Sequence, residues 1–172
     1  MAKIKLELVV KVGRIKAKVV RVGRIKAKGV TIGRKRKLKL KRDNIEREVV
    51  ALINSGYEAD SPQLMIPVSL ARELRLWPPP IEARETVFET AGGPLRVWII
   101  PRAAITSVVT EDVESKTVEV DIVVSQLADE PLISDVLAGS LELAVEDFAE
   151  GLWRFRWEPK ERVRKSEPRQ VY

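Results

Sequence analysis

The chain offers few groups that can do chemistry, and their arrangement says more than their number. Among its 172 residues there are no histidines and no cysteines. That excludes Ser-His-Asp triads, Cys-His dyads, disulfide frameworks and Cys/His zinc sites. Carboxylates, hydroxyls, lysines and backbone groups remain. The segment Ala51-Leu52-Ile53-Asn54-Ser55-Gly56 is an apolar strand running into a small polar turn, which presents one side chain at the end of a sheet. Glu58 and Asp60 follow closely. Further on, Ala91-Gly92-Gly93-Pro94 separates two strand runs, Glu85 to Thr90 and Leu95 to Ile100, the pattern of a glycine-tipped hairpin. Last comes Pro131-Leu132-Ile133-Ser134-Asp135-Val136-Leu137, which leads into a helix over Ser134 to Leu143 with Ser134 or Asp135 as its cap.

In this order, the three segments resemble the retropepsin-like aspartic proteases. That family has an apolar strand ending in Asp-Ser/Thr-Gly, a glycine-tipped flap, and a late apolar-apolar-Gly-x-Asp/Asn-apolar segment opening the C-terminal helix. The resemblance spans roughly Lys37 to Trp157. It implies a mainly β fold, a retropepsin-like half-barrel with two short helices, and a homodimer acting on peptides or unfolded protein with no metal or cofactor. By the same resemblance, Asn54 stands at the catalytic aspartate. Ser55 is the hydroxyl that bonds across the dimer, and Gly56 lets the chain turn and turns a carbonyl to substrate. Glu58 is the acid that binds substrate backbone, and Ala91, Gly92 and Gly93 form the tip of the covering flap.

The sequence departs from that pattern in four places. Ser134 stands where the family has glycine, Asp135 comes one residue early, and Tyr57 replaces a small residue. The largest departure is Asn54. In such enzymes two aspartates meet at the dimer axis and share a proton, because like charges so close cannot both ionise. One takes a proton from water while the other gives one to the scissile amide. An asparagine amide neither gains nor loses a proton near neutral pH, so paired Asn54 residues supply no general base. The chain as written is therefore expected to be inactive or nearly so, whether the amide arose naturally or by a near-isosteric exchange. Rescue by Glu58 or Asp60 is not expected.

The elements that must position these residues follow from the alternation of apolar and polar positions. Lys37 to Lys41 alternates, Asp43-Asn44 supplies a turn, and Arg47 to Ile53 forms the buried strand. Pro67 to Leu76 has helical spacing, and Trp77-Pro78-Pro79-Pro80 stops it. Two further strands cover Ala104 to Thr110 and Thr117 to Ser125. A final strand, Trp153 to Trp157, alternates aromatic residues with Arg154 and Arg156. Such a strand suits a core or a shared dimer sheet better than a base-stacking surface. Phe88 and Trp98 are expected in the core. From Pro159 a charged tail is expected to be mobile.

Charge divides the chain. Residues 1–42 carry 17 Lys/Arg and one acid, Glu7, whereas residues 43–172 carry 14 Lys/Arg and 24 acids. The basic part holds ten-residue repeats: Val12-Gly13-Arg14-Ile15-Lys16-Ala17-Lys18 recurs from Val22 to Lys28, and Ile32-Gly33-Arg34 starts a weaker copy. Period-two alternation within the repeats predicts a β-repeat extension over residues 1–36, added to a domain over 37–158 and followed by the tail at 159–172. An alternative function follows from this extension, that of a non-catalytic scaffold whose residues 1–42 bind nucleic acid. No run of residues is apolar enough to cross a membrane or to serve as a leader, so a cytoplasmic location is expected. The abundance of charge, with two Asn and three Gln, leans towards a heat-adapted source.

Overall fold

The computed structural model describes residues 3–11 and 44–172. The repeats from Val12 to Arg36, the run Lys37 to Lys41 and the Asp43 turn position lie outside the described residues. Ten strands and two short helices make up the rest, in the order β1 (Lys3–Lys11), β2 (Asn44–Ile53), β3 (Gln63–Pro67), α1 (Val68–Glu73), β4 (Arg84–Thr90), β5 (Gly93–Val108), β6 (Val118–Ser125), β7 (Leu132–Ile133), α2 (Asp135–Ser140), β8 (Leu143–Asp147), β9 (Leu152–Phe155) and β10 (Arg164–Lys165). The mainly β character and the two short helices agree with the sequence reading. Among the described residues, no helix is long and apolar enough to cross a membrane.

Seven strands form one mixed sheet in the order β1-β2-β7-β3-β6-β5-β4, and β8, β9 and β10 form a second, antiparallel one. Strand β1 pairs with β2 along one edge and with the end of β5 along the other. Residues 3–11 thus pair into the main sheet, and Leu6 is fully buried in the main core.

The placing of β7 decides where the site lies. Although last in sequence among the sheet's strands, it inserts between β2 and β3, parallel to the first and antiparallel to the second. The loop that carries Asn54 to Ser61 from β2 to β3 must therefore pass the C-terminal end of β7, where α2 begins. Ser134 caps that helix, its hydroxyl accepting from the Leu137 amide at 3.2 Å.

Strand β3 is buried along its whole length and β6 over Ile122 to Ser125, which explains the apolar runs Leu64 to Pro67 and Ile122 to Val124. Leu64, Ile66, Val120, Ile122 and Val124 point into the main core with Leu70, Leu74, Ile133 and Phe155. Met65 and Val123, on the opposite face, join Tyr57 and Val97 in a second cluster, against which Phe88, Leu95 and Ile99 pack.

Several expected boundaries moved. The two strands expected at Leu95 to Ile100 and Ala104 to Thr110 are one 16-residue strand, β5, with an irregularity between Ile100 and Ala104. Arg102 adopts φ 48° there, and its amide donates to Asp121 Oδ1 at 2.7 Å, so the bulge is pinned to β6. Helix α1 ends at Glu73, earlier than expected, because Arg75 turns left-handed at φ 57°. Leu143 leaves the second helix and starts β8. The aromatic strand is β9, with Trp153 and Phe155 buried in the main core.

The charged tail expected to be mobile is bonded along the body. Arg164 pairs with Glu158 and Asp112, the Gln170 side chain accepts from the Val50 amide at 3.0 Å, and the Tyr172 amide donates to the Asp129 carbonyl at 3.0 Å. Three of its arginines, Arg162, Arg164 and Arg169, have carboxylate partners elsewhere in the fold, which composition alone does not reveal.

Candidate functional site

Asn54 directly follows β2 as a partly buried residue, and exposed Ser55 and Gly56 come next. Its amide donates to the Ile133 carbonyl at 3.3 Å, which ties the loop to β7. Its side-chain Oδ1 accepts from the Gly56 amide at 3.0 Å, and its carbonyl accepts from the Tyr57 amide at 3.1 Å. The side chain is thus held by its own turn. A carboxylate at this position would accept the same Gly56 bond, so the amide differs from an acid in proton chemistry and charge but not in its anchoring.

The loop is then clamped from the other side by the segment entering α2. The Asp135 amide donates to the Tyr57 carbonyl at 3.0 Å, and Asp135 Oδ1 accepts from the Ala59 amide at 3.0 Å. Ser134 exchanges bonds with Gln63: its amide donates to the Gln63 carbonyl at 3.1 Å, and its hydroxyl accepts from the Gln63 amide at 3.1 Å. Ser134 and Asp135 therefore position the loop, a role the sequence reading reached only as far as helix capping. The one Ser134 hydroxyl serves both the α2 cap and β3.

Gly56 has no left-handed φ, and a Cβ there would meet only Asn54 Oδ1, at 3.5 Å. Within the chain a small side chain at this position is sterically acceptable. Gly93 is different, with φ +105°, a conformation that favours glycine. At that hairpin tip the Thr90 hydroxyl donates to the Gly93 carbonyl at 2.7 Å and accepts from the Gly92 amide at 3.2 Å.

Two adjoining depressions, of about 330 and 460 Å³, share Glu58, Ala59 and Asp60. The smaller adds Asp135; the larger reaches Gln63, Ile99 and Arg84 to Phe88 on β4. Together they form a cleft between the candidate loop and the hairpin. The structure thus brings Glu58 to the base of the hairpin, whereas Ala91, Gly92 and Gly93 at its tip do not line this cleft. Phe88, expected in the core, both packs on the second cluster and faces the cleft. Trp98 meets its expectation by packing on the main core, edge-on to Trp77 at 5.0 Å.

Four carboxylates line the cleft, on Glu58, Asp60, Glu85 and Asp135, against one guanidinium, on Arg84. Glu85 is paired with Arg96 at 3.1 Å. Glu58 and Asp60 have no hydrogen-bond or ion-pair partner among the described residues. Ser55 is likewise exposed and without one among the described residues. Among the described residues no group of three or more Asp or Glu is placed to hold a metal ion.

Comparison with protein-family models, with curated proteins and with solved structures gave no match. The chemistry of this site must be judged on its own geometry.

Behind the cleft lies a residue whose role the sequence left open. Tyr57 is buried, and its hydroxyl donates to Gln63 Oε1 at 2.8 Å. Gln63 Nε2 donates to the Ser61 hydroxyl at 3.3 Å, and that hydroxyl donates to Asp121 Oδ2 at 2.7 Å. Burial, with the nearby Asp121 carboxylate, pushes the Tyr57 phenol well above its usual range, so it stays a neutral donor.

Proposed function

We propose that this chain is one half of a retropepsin-like peptide-binding cleft, completed by a second copy, in which Asn54 removes the proton chemistry and leaves the binding frame. The observation that carries this reading is the clamped Asn54-Ser55-Gly56 loop. It is fixed between β2, β7 and the start of α2, and opens beside a cleft under a glycine-tipped hairpin. Strand β7, inserted between β2 and β3, gives the loop its rigidity and supports the half-barrel expected from the sequence.

In a homodimer, two such loops would face each other with their Ser55 hydroxyls available for bonds across the axis. An extended peptide lying in the joint cleft would meet Glu58 and the β4 strands of both protomers. With aspartates at position 54, one carboxylate would accept a proton from the attacking water as it adds to the peptide carbonyl. Its protonated partner would donate towards the leaving amine. Paired amides can hold a water but cannot take its proton.

The test is to make Asn54→Asp and incubate it with unfolded protein at a pH of about 3 to 6. Cleavage by the variant, blocked by a statine-type peptide and absent from the unchanged chain, is the expected result. A folded, dimeric variant that neither cleaves nor binds that peptide would overturn the reading.

A further inference from the structure

Tyr57 is the first side chain after the Asn54-Ser55-Gly56 turn to be drawn inward, and it is drawn to a particular place. Its ring joins Met65, Val97 and Val123 on the face of the sheet that lies beneath the hairpin. It meets Phe88 of β4 at 6.1 Å between ring centroids, tilted at 53°. Both of its named partners, Gln63 by hydrogen bond and Phe88 by ring contact, line the larger depression. Ala59 and Ile99, packed on the same cluster, line it too. The ring therefore stands directly behind the cleft wall and fills apolar space that would otherwise be continuous with the cleft.

The elements around it are fixed independently of the ring. Loop 54–60 is held by Asp135 and Ile133, Gln63 by Ser134, and β4 by its pairing to β5. Truncating Tyr57 leaves those ties in place, so the vacated space is expected to persist and not to collapse.

We infer that Tyr57 is the specificity-determining residue of this cleft, a built-in occupant of an apolar subsite under the hairpin. With the ring present, a bound peptide presents a small or polar side chain at this point, towards Glu58 and Asp60. With it removed, the same point accepts a large apolar or aromatic side chain. This assignment rests on the peptide-cleft reading, but the space behind the wall can be tested without it.

The first measurement uses p-cresol, the deleted side chain as a free molecule, followed through backbone amide resonances. Tyr57→Ala is expected to bind it saturably in the millimolar range, with shifts at Gln63 and Phe88 and also at the cleft residues Glu58 and Arg84 to Val87. The unchanged chain and Tyr57→Phe, which keeps the ring, are expected to show no saturable shift. Tyr57→Leu, a milder truncation probed with benzene, stands in should Tyr57→Ala not fold. A folded truncation variant that binds neither probe overturns the assignment. So does one whose shifts stay at Met65, Val97 and Val123, because the ring would then be core alone.

The second measurement profiles the peptides cleaved by Asn54→Asp with and without Tyr57→Ala. A change of at least tenfold in preference at one position, towards Phe, Tyr or Leu, supports the assignment. Cleavage with an unchanged profile overturns it and leaves the peptidase reading standing. No cleavage by either variant, with p-cresol still bound at the cleft wall, overturns the peptidase reading and leaves the occupied subsite standing.

Discussion

The two ends of this molecule use charge in opposite ways. In the small sheet of β8, β9 and β10, nearly every ionic group is committed. The Glu158 carboxylate is buried and receives two bonds from Arg164 and one from the Phe155 amide, at 3.0 Å from the last. Arg164 also donates to Asp112 at 2.7 Å, while its guanidinium lies over the Trp153 and Phe155 rings at 5.4 and 5.2 Å. Arg154 is bonded to Glu146 at 2.6 Å and to three backbone carbonyls. Beside the Asn54 loop, by contrast, Glu58 and Asp60 point into a cleft without partners among the described residues. The backbone there is tied through Asp135 and Ser134. Charge that holds a fold together is paired and covered. Beside the Asn54 loop, the frame is tied and the carboxylates of Glu58 and Asp60 stay open among the described residues.

That contrast can be broken by substitution, starting where the loss should be greatest. Phe155→Ala empties the centre of the aromatic stack, where Phe155 lies edge-on to Trp153 and parallel to Trp157. It is expected to cost about 3–5 kcal/mol in chemical denaturation. Glu158→Ala leaves Arg164 without its main buried partner and should cost roughly 3 kcal/mol. Ser134→Ala removes both the α2 cap and the bond to the Gln63 amide, an expected loss of about 1–2 kcal/mol. At the other extreme, Glu58→Gln and Asp60→Asn should each leave stability within about 0.5 kcal/mol. A large loss from either would mean that the cleft carboxylates are structural after all.

Acid should act on the C-terminal sheet. Hydrogen bonds from Arg164 hold the Glu158 and Asp112 carboxyls below their ordinary range, with the Phe155 amide helping at Glu158 and Arg162 at Asp112. Groups lowered on folding stabilise fully above their unfolded pKa values, about 4 to 4.5, and that stabilisation is lost as pH falls through the lower folded values. The thermal midpoint is therefore expected to be insensitive to these groups near neutrality and to drop below a pH of about 4. Glu158→Gln should lower the midpoint at neutral pH and flatten that acid-side drop. A steep drop of unchanged size in the variant would place the acid sensitivity elsewhere.

The candidate loop was legible in the sequence because Ala51-Leu52-Ile53 is apolar on both faces and Asn54-Ser55-Gly56 is not. Its support was not. Strand β7 is two residues long, too short to show alternation, yet its insertion between β2 and β3 organises the site. Gln63 to Pro67 was hidden for a related reason, since a strand buried throughout its length has no polar face to mark it. The sequence reading placed two strands where β5 is one, because the irregularity between Ile100 and Ala104 breaks the alternation, while Asp121 captures the Arg102 amide there. At the C-terminus the order of charges in Arg162, Arg164 and Arg169 gave no sign of Asp112, Glu158 and Asp129, their partners elsewhere in the fold. Local pattern marks elements; long-range pairing must be seen.

The central proposal, that paired loops lack only a carboxylate at position 54, is tested most directly by the pH dependence of peptide cleavage by the Asn54→Asp variant as the proposed dimer. Two aspartates sharing one proton predict a bell-shaped profile with both limbs on the acid side of neutrality, belonging to the pair and not to either residue. A folded dimer with no turnover at any pH, or with a single-limbed profile unchanged by restoring Asn54 in one protomer, would contradict it.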